Sequence, residues 1–158
     1  MLINVWRCSM EKKILVIEDR RMFASEMRLL LGCACTRCGI SFESFFVEDI
    51  SSAVDLLARN QFQLVSTGAT LPPDVGQTPR TGAGLSLLKH LDLSGFTGDV
   101  VFFSASPYDV AIARRMSITG KSVNVFRKAY GRKRTRKEGS ATVYTWAETC
   151  ARILMANK

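Results

Sequence analysis

Five short apolar runs alternate with amphipathic stretches along the chain, and this alternation restricts the possible folds more than any other feature. The apolar runs cover residues 13–17, 41–47, 63–67, 99–103 and 122–126. The stretches with helical spacing of apolar residues cover residues 20–31, 51–60, 85–91, 108–118 and 144–156. Continuous apolar strands are typical of a parallel sheet that is covered on both faces. The order therefore predicts an α/β fold, a doubly wound five-stranded parallel sheet with helices on both faces.

Length and charge narrow the class of protein further. The chain has 158 residues, which fits one domain, and carries 22 Lys and Arg against 14 Asp and Glu, a net charge of +8. No apolar run approaches the roughly 18–20 residues of a membrane helix, and residues 1–10 lack the pattern of a signal peptide. Together with an odd count of five cysteines, this predicts a cytoplasmic protein with reduced thiols and no membrane association. We expect residues 1–10 to be an N-terminal tail and residues 11–158 to form a single domain.

Charged and polar residues follow three of the predicted strands. Glu18 and Asp19 follow the first, Ser104 the fourth and Lys128 the fifth, and functional sites of such sheets collect at these strand ends. The two carboxylates suit a hard cation such as magnesium, or a solvated turn before a helix. The serine hydroxyl could contact an anion or cap the next helix. The lysine could bind a phosphate or a carboxylate, or could face solvent.

With these residues in place, the chain resembles the receiver domain of two-component response regulators. The resemblance covers about residues 11–130 and the last helix, and rests on residues 13–19, 51–57, 84–88, 100–105 and 125–128, and on the Leu71-Pro72 pair. It implies a flavodoxin-like fold and a role in two-component signal transduction or a phosphorelay. In that family an acidic pair binds magnesium, a Ser or Thr contacts the phosphoryl oxygens and a lysine pairs with the phosphoaspartate. Glu18 with Asp19, Ser104 and Lys128 match those positions.

The chain departs from the family at the phosphoacceptor. The family's aspartate lies four residues before the proline of the Leu-Pro pair, and that position here is Gly68. Residues 64–72 contain no carboxylate, and the nearby hydroxyls, Ser66, Thr67 and Thr70, would need an activating base. Val125 occupies the position of the family's switching aromatic, with Phe126 beside it, and Ala129 replaces the usual proline after the lysine.

These features predict an atypical, pseudo-receiver domain that is not an enzyme and signals through protein–protein contacts without aspartyl phosphorylation. We expect a degenerate phosphorylation pocket formed by Glu18, Asp19, Gly68, Ser104 and Lys128. It would have no catalytic residue and no cofactor beyond weakly held magnesium, and Lys128 would form an ion pair with Glu18 or Asp19. One alternative is a phosphorylatable receiver with a displaced acceptor at Ser66, Thr67, Thr70 or Asp74. Enlarged loops are expected at about 72–84 and 129–143.

A second alternative follows from the basic run at residues 127–137. Seven of its eleven residues are cationic: Arg127, Lys128, Arg132, Lys133, Arg134, Arg136 and Lys137. All of them but Lys128 are candidates for binding a polyanion. The run is consistent with contacts to nucleic-acid phosphates, with docking to an acidic protein surface, or with a solvated loop. The first of these would make the chain a nucleic-acid-associated regulator.

Three cysteines, Cys33, Cys35 and Cys38, lie within six residues after the predicted first helix. Structural zinc needs four ligands, and the only histidine, His90, lies far away in sequence, which leaves Cys8 or Cys150 as a fourth ligand. We expect free thiols and no metal here. A redox Cys-x-x-Cys pair is less favoured, because that motif should begin a helix.

Overall fold

The computed structural model describes residues 11–127 and 136–157, and for residues 136–141 it describes the backbone alone. The elements are β1 (Lys12–Ile17), α1 (Arg21–Arg37), β2 (Phe42–Val47), α2 (Ile50–Arg59), β3 (Leu64–Gly68), α3 (Ala83–Leu93), β4 (Asp99–Ser104), α4 (Pro107–Ala113), β5 (Ser117–Ile118), β6 (Lys121–Ser122), β7 (Asn124–Arg127) and α5 (Arg136–Ala156). The predicted tail at residues 1–10 lies outside the described residues. No helix in the described part of the chain is long and apolar enough to cross a membrane.

The central sheet has five parallel strands in the order β2-β1-β3-β4-β7. Alternate residues of each inner strand enter two separate apolar layers, as Ile14 and Leu15 of β1 show. Helices α1 and α5 cover one face of the sheet, and α2, α3 and α4 cover the other. The predicted flavodoxin-like fold is confirmed, and burial on both faces explains why the strands read as continuous apolar runs.

Several element boundaries differ from the prediction. Helix α1 continues to Arg37 because residues after Leu31, including Ala34 and Cys35, remain buried against α5. The expectation that the cysteine cluster follows this helix was therefore wrong for Cys33 and Cys35, which lie on it, while Cys38 caps its end.

The predicted helix at 108–118 was too long, because α4 ends at Ala113 and a short antiparallel hairpin of β5 and β6 follows. Thr119 and Gly120 have φ values of 47° and 83° at the turn of this hairpin, which a helix does not allow. The last helix begins at Arg136 and not at residue 144, so residues 136–143 of the expected enlarged loop are helical, and its residues 129–135 lie outside the described residues.

The segment from Pro72 to Gly82 is anchored to α2 at its first two residues. The carbonyls of Pro72 and Pro73 accept hydrogen bonds from the Ile50 and Ser51 amides at 3.0 and 3.1 Å, which satisfies the first turn of α2. Asp49 caps α2, because its carboxylate accepts a hydrogen bond from the Ser52 amide at 2.8 Å.

Candidate functional site

A cleft of about 340 Å³ opens at the carboxyl edge of the sheet, where β1, β3 and β4 end. Its walls come from the loops after those strands, from Thr81 before α3 and from the first turn of α4. Strands β2 and β3 lie on opposite sides of β1, so the chain reverses its direction of winding here, and ligands of such sheets bind at this switch point. The structure therefore brings Glu18, Asp19, Gly68 and Ser104 to one cleft.

The two carboxylates after β1 differ in exposure. Glu18 is 4% exposed, and its Oε1 accepts a hydrogen bond from the Arg20 amide at 3.1 Å. Asp19 is half-buried, and Arg20 brings a positive charge to the same wall of the cleft. The pair provides oxygen ligands of the kind that a hard cation takes, and Gly68 at the end of β3 adds no carboxylate to them.

Gly68 ends β3 directly beside Phe103 of β4. A Cβ atom added at Gly68 would meet only ordinary contacts, the nearest being Leu71 Cδ2 at 3.7 Å, so a Cβ fits there. The neighbouring Gly84 is different, because a Cβ there would lie 1.8 Å from the Gly68 carbonyl oxygen. Helix α3 therefore begins directly against the end of β3, and the Gly84 amide donates to the Ala69 carbonyl at 3.0 Å.

Asp109, in the first turn of α4, was not among the predicted site residues, yet its carboxylate lines the cleft and the residue is 2% exposed. The Ser104 hydroxyl donates to Asp109 Oδ2 at 3.4 Å and accepts from the Ser106 amide at 3.0 Å. The Ser106 hydroxyl caps α4 by accepting from the Asp109 amide at 3.2 Å. The signal was the Ser106-x-x-Asp109 spacing, a capping pattern that turns an acid back toward the preceding strand end.

Of the four candidates for a displaced acceptor, Thr70 alone lines the cleft. Ser66 is buried under α5, where its hydroxyl accepts from the Trp146 indole at 2.8 Å, and the buried Thr67 hydroxyl donates to the Gly68 carbonyl at 3.0 Å. Thr70 is exposed and lines the cleft. Asp74 is exposed and accepts from the Val75 amide, but it does not line the cleft.

The switch position, Val125, packs into the layer beneath α2, α3 and α4. Phe126 faces the other layer, where its ring lies 6.3 Å from the Phe103 ring. Phe126 therefore cannot take the place of an aromatic at position 125, because adjacent residues of a strand point to opposite faces.

The basic run is described only in part. Lys128, Arg132, Lys133 and Arg134 lie outside the described residues, and Arg136 and Lys137 are placed by their backbone in the first turn of α5. Arg127 is exposed at the end of β7, beside Ser104 in the register of the sheet.

Four of the five cysteines lie among the described residues, on α1, at its end and on α5, whereas Cys8 lies outside them. Cys35 and Cys150 are buried in one apolar layer with Cys38 partly buried against it, whereas Cys33 is exposed. Burial, with a smaller contribution from Cys38, raises the pKa of the Cys35 thiol to about 11. Burial also raises the pKa of Cys150 well above its usual value. Thiols of this kind are poor nucleophiles.

No protein-family model matches the chain, and no curated protein matches it in sequence. Its structure is similar to a response-regulator receiver domain from Francisella, with a TM-score of 0.62 and 17% identity over 94% of this chain and 100% of that one. A two-component response regulator from Clostridium difficile gives a TM-score of 0.60 and 16% identity over 92% and 97% of the two chains. A response-regulator receiver domain from Rhodospirillum rubrum gives a TM-score of 0.59 and 19% identity over 88% of this chain and 93% of that one. The chain has the fold of response-regulator receiver domains.

Proposed function

We propose that the chain is a receiver-like regulatory domain in signal transduction that acts through protein–protein contacts without aspartyl phosphorylation. The observation that carries this proposal is Gly68. It ends β3 at the place where the fold would present an acceptor carboxylate, and glycine has no nucleophile. We further propose that the domain is not an enzyme and acts in the cytoplasm.

The other cleft groups support this proposal because they bond to one another. The Ser104 hydroxyl, which the resemblance assigns to phosphoryl contact, is already bonded to Asp109 and to the Ser106 amide. Asp109 also adds a negative charge beside the position of a phosphoryl group, and this disfavours anion binding. The end of β3 therefore offers no nucleophile, and Asp109 places an acid where a phosphoryl oxygen would need a donor.

Intact-mass analysis after incubation with acetyl phosphate and magnesium tests the proposal. We expect no gain of a phosphoryl group by the wild-type chain and no adduct with beryllium fluoride. A gain mapped to Thr70, Asp74 or Asp109 would overturn the proposal in favour of a displaced acceptor. Asp109 is the strongest of these three, because it is the buried carboxylate that lines the cleft.

The variant Gly68→Asp makes the test sharper. The space around Gly68 accepts a Cβ, so the variant should fold, and its carboxylate restores the attacking oxygen. Gly68→Asn is the matched control, because it has nearly the same shape but no nucleophilic carboxylate. Labelling of Gly68→Asp alone would support loss of phosphorylation by this single residue, whereas labelling of both variants would place the acceptor elsewhere.

The nucleic-acid alternative is tested separately by fluorescence anisotropy with labelled DNA or RNA at two salt concentrations. If the basic run contacts phosphates, changing Arg132, Lys133, Arg134 and Arg136 to Ala should weaken binding and reduce its dependence on salt. Absence of binding at low salt would exclude this alternative.

A further inference from the structure

Strand β2 forms one edge of the sheet and has few of the features that keep an edge from pairing. No strand in residues 11–127 or 136–157 pairs with its outer side. Its six residues pair with β1 in one unbroken register, so the strand contains no bulge. Its sequence contains neither proline nor glycine, and its only charged residue is Glu43. Since bulges, prolines and several charges are the usual means of blocking an edge, β2 is open to a further strand.

The hydrogen bonds to β1 show which backbone groups of β2 face outward. The Ser41 carbonyl accepts from the Lys12 amide at 3.1 Å, directly before the strand. The Val47 carbonyl accepts from the Glu18 amide at 3.0 Å, at the end of the strand. Odd-numbered residues of β2 therefore direct their polar groups to β1, and the residues between them direct theirs away from the sheet. The outward-facing residues are Phe42, Ser44 and Phe46.

The side chains of β2 form a different pattern on each face of the sheet. Phe42 and Phe46 are partly buried in the layer that contains α1 and α5. Phe45 is partly buried in the opposite layer, where Lys13 Nζ lies 5.8 Å from the centre of its ring. The same Lys13 Nζ lies 4.0 Å from the Glu43 carboxylate. One face of the edge is thus aromatic, and the other combines an aromatic ring with a lysine and a glutamate.

The backbone and the aromatic side chains of this edge are complementary to a second copy of the same strand. An antiparallel pair with a twofold axis at Ser44 places the Ser44 residues of the two copies opposite each other. It also places Phe42 of each copy opposite Phe46 of the other. Every outward-facing residue of β2 then meets an outward-facing residue, and each such pair exchanges two hydrogen bonds. Cross-strand aromatic pairs stabilise the pairing further.

Charge favours the same register. With the axis at Ser44, Glu43 of each copy lies opposite Phe45 of the other, on the face where Lys13 flanks that ring. The carboxylate of one copy therefore approaches the ammonium group of the other. An axis at Glu43 would instead place two carboxylates directly opposite each other, which destabilises a strand pair.

We propose that two copies of the chain pair through the outer side of β2, antiparallel about Ser44, so that their sheets join into one continuous sheet. The partner is thus a second copy of this chain. The proposal goes beyond the proposed function, because β2 contributes no residue to the cleft and the pairing involves no phosphoryl group.

Sedimentation of the full chain at several concentrations measures the pairing. By mass action, we expect the share of dimer to rise between about 1 and 100 μM. Ser44→Pro should abolish the dimer, because it removes an outward-facing amide, while an edge strand tolerates proline there. Circular dichroism establishes that the variant is folded.

Two charged variants locate the twofold axis without a change of the backbone. Ser44→Lys and Ser44→Asp each place like charges opposite each other, so each variant should dimerise at least tenfold more weakly than the wild type. An equal mixture of the two should form a heterodimer at least tenfold more tightly than either variant pairs with itself. Ser122→Lys is the matched control, because Ser122 is exposed on β6, and it should leave the dimer unchanged.

Three results would overturn the proposal. They are a wild-type monomer at about 100 μM, a dimer that survives Ser44→Pro, and failure of the mixed charged variants to pair. A monomer would leave the edge to a strand of another protein, and a surviving dimer would place the interface elsewhere on the domain. Sedimentation contains no phosphodonor, so these results and those with acetyl phosphate stand independently of each other.

Discussion

Two helical glycines show how differently the cleft and the outer face of α1 are packed. Gly84, at the start of α3, is buried against the end of β3, and a Cβ there would lie 1.8 Å from the Gly68 carbonyl oxygen. Gly32, in the middle of α1, has open space above it. The first glycine is required by packing inside the chain, whereas nothing in the described residues requires the second.

The polar groups of the two regions follow the same division. In the cleft, the polar side chains of Ser104, Ser106 and Asp109 are held by hydrogen bonds among themselves and with the backbone of α4. On the outer face of α1, the apolar side chains of Met22 and Leu29 are exposed, and the Arg28 guanidinium stacks on the Phe46 ring. These cleft side chains are therefore fixed by the domain itself, whereas the exposed apolar side chains of α1 are not.

The largest effect is expected inside the α1–α5 layer. Trp146 is fully buried, and its indole donates to the Ser66 hydroxyl. Trp146→Ala should lower the free energy of unfolding by about 3–5 kcal/mol, because it leaves a cavity and removes that donor. On the outer side of the same layer, Leu29→Ala should change it by less than about 0.5 kcal/mol. Urea unfolding followed by circular dichroism measures the free energy of unfolding of both variants. Similar losses for Trp146→Ala and Leu29→Ala would contradict the burial of Trp146 and the exposure of Leu29.

Thiol reactivity separates the same two sides chemically. In a Cys8→Ser background at pH 8, the exposed Cys33 should react with a maleimide at least about a hundredfold faster than Cys35, because burial raises the Cys35 pKa to about 11. Peptide mapping at short reaction times gives both rates. Equal rates at pH 8 would place Cys35 at the surface.

The raised pKa of Cys35 also makes the stability of the fold depend on pH. The folded chain keeps the Cys35 proton at a pH where the unfolded chain loses it, so the free energy of unfolding should fall as the pH rises from about 9 toward 11.

Gly84→Ala should damage the wall of the cleft. The added methyl group cannot coexist with the Gly68 carbonyl, so α3 must move away from β3. We expect a cost of roughly 1–3 kcal/mol in the free energy of unfolding, measured by urea denaturation. A neutral result would mean that α3 and β3 are not in contact at this point.

The smallest change should have the opposite sign. Gly32→Ala should raise the free energy of unfolding by about 0.5–1 kcal/mol, because alanine favours the helix and meets no neighbour. Urea denaturation measures the free energy of unfolding of Gly32→Ala and of Gly84→Ala, which form a matched pair of glycine substitutions in two helices. Destabilisation by Gly32→Ala would show that a neighbour packs closely over that position.

The alternation of apolar runs and amphipathic stretches determined the fold class, the order of the elements and the gathering of strand ends at one edge. It did so because strands buried on both faces and helices buried on one face leave different periods in the sequence. The absence of a carboxylate from residues 64–72 was also visible in the sequence alone.

Only the tertiary structure decided which residues complete each site. Asp109 reaches the cleft because Ser106 caps α4 beside the end of β4. Phe126 cannot substitute for an aromatic residue at position 125, because its side chain points to the opposite face of the sheet from that of Val125. Cys35 and Cys150 are distant in sequence, yet they share one apolar layer because α1 and α5 pack on the same side of the sheet. The periodicity of a single segment records how much of it is buried, whereas the neighbour that buries it is set by the packing of the whole domain.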